Sequence, residues 1–160
     1  MTFRVFLLTT LMLSLTGVSS SAKAHDTVQV RATVITGDTL VVAGQRMRLH
    51  GIDAPELGQP CHWPNKTIDC GNISRTGLLD LIAPVKISCR RHATTPEGTW
   101  IASCTAEGFD VGRNMVHTGW AMALPKDPAS YLPIQKKAQA AKRGMWRGTF
   151  IPPWTWRQSQ

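Results

Sequence analysis

From Thr27 onward apolar and polar residues alternate through "TVQVRATVITGDTLVVAGQRMRLHGI". A period of two is that of a half-buried strand. The alternation breaks at Thr36-Gly37-Asp38 and at Ala43-Gly44, so the stretch predicts three successive antiparallel strands joined by tight turns. From Pro55 to Gly71 the pattern lapses into a loop rich in Pro, Cys and Gly. "ISRTGLLDLI" then takes helical spacing and stops before Pro84. "VKISCR" and "TWIASCTAEG" alternate again around the turn "TTPEG" and complete a five-strand set.

The last third is helical in pattern. "DVGRNMVHTGW" puts Val111, Met115 and Val116 on one face, and "YLPIQKKAQAAKRGMW" begins near a proline and ends at Gly144. The tail "IPPWTWRQSQ" is not expected to continue as a helix, because of Pro152 and Pro153. Five short strands, a helix after the third and two more helices suit a small closed β-barrel of the OB type, an α+β fold. A less regular α+β sheet fits the same list of elements. No internal repeat, low-complexity stretch or interdomain linker interrupts it.

Ahead of the strands lies a different kind of segment. Arg4 gives a short positive start, "VFLLTTLMLSLTGV" is an apolar core, and Ala22 and Ala24 stand at the small-residue positions of a cleavage site. The run falls short of the roughly 20 apolar residues of a comfortable span, so export with cleavage after Ala24 is expected rather than a membrane anchor. The organisation read from the chain is a signal peptide at 1–24, one domain at 25–148, and a Pro/Trp-containing tail at 149–160. With no second apolar segment, the mature protein should be secreted or periplasmic, without a stable membrane span, and monomeric.

Charge and cysteines sharpen this picture. The whole chain carries 18 basic and 10 acidic residues. Losing residues 1–24 removes Arg4 and Lys23 and no acid, leaving about +6, a balance that favours a polyanionic partner. Cys61, Cys70, Cys89 and Cys104 make an even set with three possible pairings. Cys61 and Cys70 enclose a short loop, while Cys89 and Cys104 end neighbouring β-like runs, so pairing in chain order is expected. A zinc site competes poorly, because the chain has no C-x-x-C pair and the expected compartment is oxidising.

The chemistry concentrates where the third strand ends. In "LHGIDAPELGQPC" two acids, Asp53 and Glu56, stand three apart around Pro55, which fixes one backbone angle between them. Hydrolysing a phosphodiester brings a nucleophile to a centre ringed by negative oxygens. Carboxylates are the hard ligands with which a divalent cation such as calcium is held to offset that charge. Gly37-Asp38-Thr39, then Arg48, then Asp53-Ala54-Pro55-Glu56, within "VITGDTLVVAGQRMRLHGIDAPE", resemble the opening of the staphylococcal nuclease (thermonuclease-like) family. The likeness continues weakly through "GWAMAL" and "QAAKRGMW". It implies an OB-fold nuclease in which Asp38, Asp53 and the backbone carbonyl of Ala54 hold calcium. It also implies that Glu56 is the general base on the attacking water and that Arg48 binds the phosphate bidentately.

Two departures bear on activity. Active members carry a second arginine in a stretch resembling D-R-Y-G-R-x-L-A; this chain reads "TPEGTWIA", with Thr99 at the arginine position. Losing one preorganised donor of that kind costs on the order of 10²–10³ in rate. Arg90 and Arg91, at the far end of the preceding strand, are the candidates to compensate. The family's nucleotide-stacking tyrosines are also absent; the corresponding segment is Trp120 to Pro125, and Trp120, Met122 and Leu124 read as core. Lys136, Lys137, Lys142 and Arg143 read as a solvated helix surface, and Arg113 as a packing or surface residue. Two functions stay open. One is a calcium-dependent nuclease on DNA or RNA. The other is a non-catalytic accessory protein binding an anionic polysaccharide, for instance in succinoglycan-type exopolysaccharide assembly.

Overall fold

The computed structural model describes residues 27–83, 85–126 and 130–160. The expected signal peptide and its cut after Ala24 lie outside the described residues.

The first long alternating run is two strands, β1 (Thr27–Val30) and β2 (Ala32–Val34), separated at Arg31. Next come β3 (Thr39–Val42), β4 (Gln45–Leu49) and the short β5 (Ile52–Asp53). A hairpin, β6 (Pro60–Trp63) and β7 (Lys66–Asp69), leads into α1 (Cys70–Ile82). The long hairpin β8 (Ile87–Thr94) and β9 (Trp100–Ala106) follows, then β10 (Phe109–Asp110) and α2 (Val111–Thr118). The chain finishes with β11 (Met122–Ala123), α3 (Leu132–Ala140), a 3₁₀ turn (Gly144–Arg147), β12 (Thr149–Phe150) and α4 (Pro153–Gln158).

The main sheet runs β1-β8-β9-β4-β3-β2. Its pairings are antiparallel except β4 with β9, which is parallel. Its two terminal strands, β1 and β2, are consecutive in the chain, so one bent strand closes both edges and the sheet becomes a barrel. Inward positions of the alternation fill it: Val34, Leu40, Val42, Met47, Leu49 and Ile87 are all buried. Helix α1 caps this core with Leu78 and Ile82, and α2 with Val111, Met115 and Val116. The α+β, OB-type expectation holds. The expected trio of antiparallel strands is β2, β3 and β4, while β1 pairs instead with β8.

Both cystines join the expected partners, Cys61 with Cys70 and Cys89 with Cys104. Cys89 lies directly opposite Cys104 in the β8–β9 register. Three sequence expectations are corrected. The Pro55–Gly71 loop contains a hairpin, to which β12 adds a third strand. Helix α1 starts at Cys70, because the Asp69 carboxylate caps it by accepting from Asn72 N–H. The tail does form a helix: Pro152 sits at its N-cap and Pro153 in its first position, where a missing N–H costs nothing. Among the described residues no helix is long and apolar enough to cross a membrane.

Candidate active site

Strand pairing brings together the acids and the arginine singled out in the sequence. The β3–β4 register sets Arg48 opposite Thr39, one residue beyond Asp38. Leu49 N–H donates to the Asp38 carbonyl at 2.8 Å, closing that end of the hairpin. Asp38 is buried; its Oδ1 accepts from the Thr36 and Thr39 hydroxyls at 2.8 Å each, and its Oδ2 from Ala54 N–H at 3.3 Å. That last bond ties the Asp53–Glu56 turn to the β2–β3 turn. Asp53, on β5 and paired with Met122 of β11, is fully buried. A buried carboxylate needs charged or hydrogen-bonding partners, and Arg48 Nη2 donates to Asp53 Oδ1 at 2.7 Å while Arg48 Nε lies 3.4 Å from Asp38 Oδ2.

Glu56 sits on the turn beyond, half-buried. Gln59, completely buried, fixes that turn: its Oε1 accepts from Glu56 N–H at 3.1 Å and its own N–H donates to the Glu56 carbonyl at 2.9 Å. Gln59 Nε2 donates to the Ile151 carbonyl at 2.6 Å, and its carbonyl accepts from Cys70 N–H at 2.9 Å. One amide side chain thus joins the turn carrying Glu56 to the C-terminal tail, and its backbone holds the start of α1.

The largest departure from the sequence reading is Arg157, on α4. Its Nη1 donates to Asp53 Oδ1 at 2.9 Å and to Glu56 Oε1 at 2.6 Å, and its Nη2 to Asp53 Oδ2 at 2.7 Å. The bonds to Asp53, opposed by partial burial and joined by those to Glu56, hold the guanidinium even more firmly protonated than usual. Asp53 and Glu56 therefore share a guanidinium from a residue 104 positions away from the first of them.

The two arginines stand between two clefts. One, of about 260 Å³, is lined by Asp38, Arg48, Glu56 and Arg157 together with Thr95, Glu97 and Thr99, and by the exposed Arg46 of β4. The other, of about 650 Å³, is lined by Arg48, Asp53 and Arg157 with Leu124, Pro125, Lys126 and Trp154. Thr99 occupies the first cleft as an uncharged side chain. Arg90 and Arg91, the expected substitutes for a second arginine, line neither cleft, and Arg91 lies over the Trp100 ring at 4.9 Å from its centroid. Trp120 is half-buried and packs against the core, and Met122 is buried; Leu124, expected in the core, lines the larger cleft. Lys136, Lys137 and Lys142 are exposed.

Asp38 and Asp53 offer carboxylate oxygens, hard donors of the kind a divalent cation such as calcium takes. Asp53 Oδ1 and Oδ2 accept from Arg48 and Arg157, and Asp38 Oδ2 from Ala54 N–H. Three acids (38, 53 and 56) against two guanidiniums leave the cluster one negative charge, so a divalent cation together with one phosphodiester would bring it to neutrality. Among the described residues no three His, Cys, Asp or Glu side chains gather as a metal group, which leaves Asp38 and Asp53 as the carboxylate pair on which a cation would depend.

A family model described as staphylococcal nuclease homologue matches residues 46–148. The chain belongs to that family. The match includes Arg48, Asp53, Ala54, Glu56 and Thr99, and leaves out Asp38 on one side and Arg157 on the other. The chain is similar to "Succinoglycan biosynthesis protein ExoI" of Rhizobium meliloti (strain 1021), 32% identical over 131 residues, covering 79% of this chain and 68% of that protein. It is also similar to "Probable staphylococcal-like nuclease CAN2" of Oryza sativa subsp. japonica, 27% identical over 126 residues. There the match covers 77% of this chain and 32% of the relative, so this staphylococcal-nuclease homologue spans about a third of the rice protein.

Proposed function

We propose that this protein is an exported, calcium-dependent nuclease that hydrolyses phosphodiester bonds of DNA or RNA. The observation that carries the reading is the convergence of Asp38, Asp53, Glu56 and Arg48 at one end of the barrel. Asp38, Asp53 and the Ala54 carbonyl would hold the cation, which supplies charge neutralisation at the phosphate. Arg48, braced by Asp53, presents its guanidinium to a phosphate oxygen. Glu56 takes the proton from the attacking water, and Gln59 keeps that carboxylate's turn in place. Export is supported by the leader-like segment at 1–24 and by two cystines, which persist in oxidising compartments.

A second reading is a non-catalytic protein that binds an anionic polysaccharide. It is favoured by the relative named for succinoglycan biosynthesis and by Thr99 at the second arginine position. Assaying the chain without residues 1–24 on DNA and RNA, with calcium and then with chelator, separates the two. Calcium-stimulated cleavage lost in Glu56→Gln supports the nuclease; polyanion binding without cleavage supports the accessory protein.

A further inference from the structure

We propose that Arg157 is the second phosphate-binding guanidinium of this site, delivered by the C-terminal tail in place of the arginine that position 99 lacks. The inference rests on the nuclease reading and adds a residue to it.

Three observations carry it. Arg157 and Thr99 line the same cleft, alongside Arg48 and Glu56. Arg46 lines it too, but it is Arg157 that is tied to Asp53 and Glu56, so the cation carried on the tail stands beside Arg48 in the cleft where Thr99 brings none. Thr99 is meanwhile engaged in its own turn, its N–H donating to Thr95 Oγ1 at 3.3 Å and its carbonyl accepting from Thr95 N–H at 2.8 Å. Second, Arg157 and Arg48 both donate to one atom, Asp53 Oδ1, at 2.9 and 2.7 Å. Two like charges are thereby held side by side, and each side chain is 37% exposed. Two guanidiniums side by side at the boundary of two clefts are the donors a phosphate recruits bidentately once its oxygens displace the carboxylates. Third, the tail is anchored. β12 pairs with β6, the Ile151 carbonyl accepts from Gln59, and Pro153 is buried at the start of α4. The guanidinium is thus presented from fixed backbone, as preorganised charge stabilisation requires.

Asp53 and Glu56 are the acceptors that hold Arg157 in line. When a phosphodiester enters, its oxygens compete for the same N–H donors. The other role such contacts would allow is a plug, in which the tail guanidinium merely obstructs the carboxylates.

The test compares the wild-type chain, Arg157→Ala, Arg157→Lys, the double variant Arg157→Ala/Thr99→Arg, and Arg48→Ala. The readouts are calcium-dependent cleavage of a single-stranded DNA oligonucleotide and calcium affinity by titration calorimetry, with thermal unfolding as a check on folding. Arg157→Ala should lower kcat/KM on the order of 10²–10³-fold, Arg157→Lys should recover part of it, and Thr99→Arg in the double variant should restore at least about tenfold of the loss. Cleavage unchanged or raised in Arg157→Ala, with tighter calcium binding, would make the tail a plug and overturn the proposal. A loss that Thr99→Arg leaves unrestored overturns it equally, assigning Arg157 a structural role. If the wild-type chain cleaves nothing, the nuclease reading is what fails, and oligonucleotide affinity becomes the measure. There, a loss of about tenfold in Arg157→Ala, regained in the double variant, keeps the assignment, and equal affinities overturn it.

Discussion

Gln59 holds both backbone polar groups of Glu56, accepting from its N–H with the side chain and donating to its carbonyl with the backbone. The same side chain bonds the Ile151 carbonyl, so truncating it strands two polar backbone groups. Both stranded groups lie at partly exposed positions, so Gln59→Ala should cost about 0.5–1.5 kcal/mol in unfolding free energy for each bond lost. It should also lower kcat more than it changes calcium affinity. Urea unfolding and calorimetric titration with calcium check the two parts separately; retained stability would show that water replaces the amide.

Two glycines of α1 make opposite predictions. A Cβ at Gly71 would collide with the Glu56 backbone carbonyl, whereas one at Gly77 would meet the Trp120 ring at an ordinary 3.4 Å. Gly77→Ala should stabilise by roughly 0.5–1 kcal/mol, the usual gain in a helix interior. Gly71→Ala should lose that gain and more, and should depress cleavage by moving the turn that carries Glu56. Chemical denaturation of both variants, with activity alongside, decides the matter.

Removing the β8–β9 cystine with Cys89→Ser/Cys104→Ser should cost about 2–5 kcal/mol, read as a lower Tm. Removing Cys61–Cys70 should act differently, since it ties β6, which pairs with the tail, to the start of α1. That variant should lose cleavage as well as stability. Equal activity in the two cystine variants would argue that β6 and the tail hold their positions without the bond.

Tyr131→Phe serves as a control away from the clefts. Its hydroxyl donates to Asp110 Oδ2 at 2.7 Å, and Asp110 caps α2 by accepting from Arg113 N–H at 2.9 Å. Loss of one such bond to a charged acceptor should destabilise by about 1.5–3 kcal/mol with cleavage unchanged, as measured by thermal unfolding and the oligonucleotide assay.

Asp38, Arg48, Asp53 and Glu56 were legible in the chain through the motif they share with staphylococcal nuclease, and the local β2–β3–β4 meander accounts for the meeting of Asp38 with Arg48. Asp53 joins them from β5, whose partner β11 lies far along the chain, and Glu56 from the turn beyond. Position 99 was legible as a loss because the same family's pattern carries an arginine there, in the turn of the local β8–β9 hairpin. Arg157 was not. It meets Asp53 across 104 residues, and nothing in the residues flanking an arginine marks so distant a partner. Pro152 and Pro153 further disguised its helix, because a proline that ends one helix is equally at home starting another. Gln59 escaped notice since a lone Gln in a Pro- and Cys-rich loop looks solvated, whereas it is fully buried and bonds a tail residue 92 positions away.

The bend at Arg31 carries a last implication. Because the same stretch of chain completes the hydrogen-bond ladder on both sides, the main sheet offers another molecule no open rim to extend. Strand-by-strand growth at high concentration would have to begin instead at the outer edges of the small β12-β6-β7 sheet, on β7 or β12.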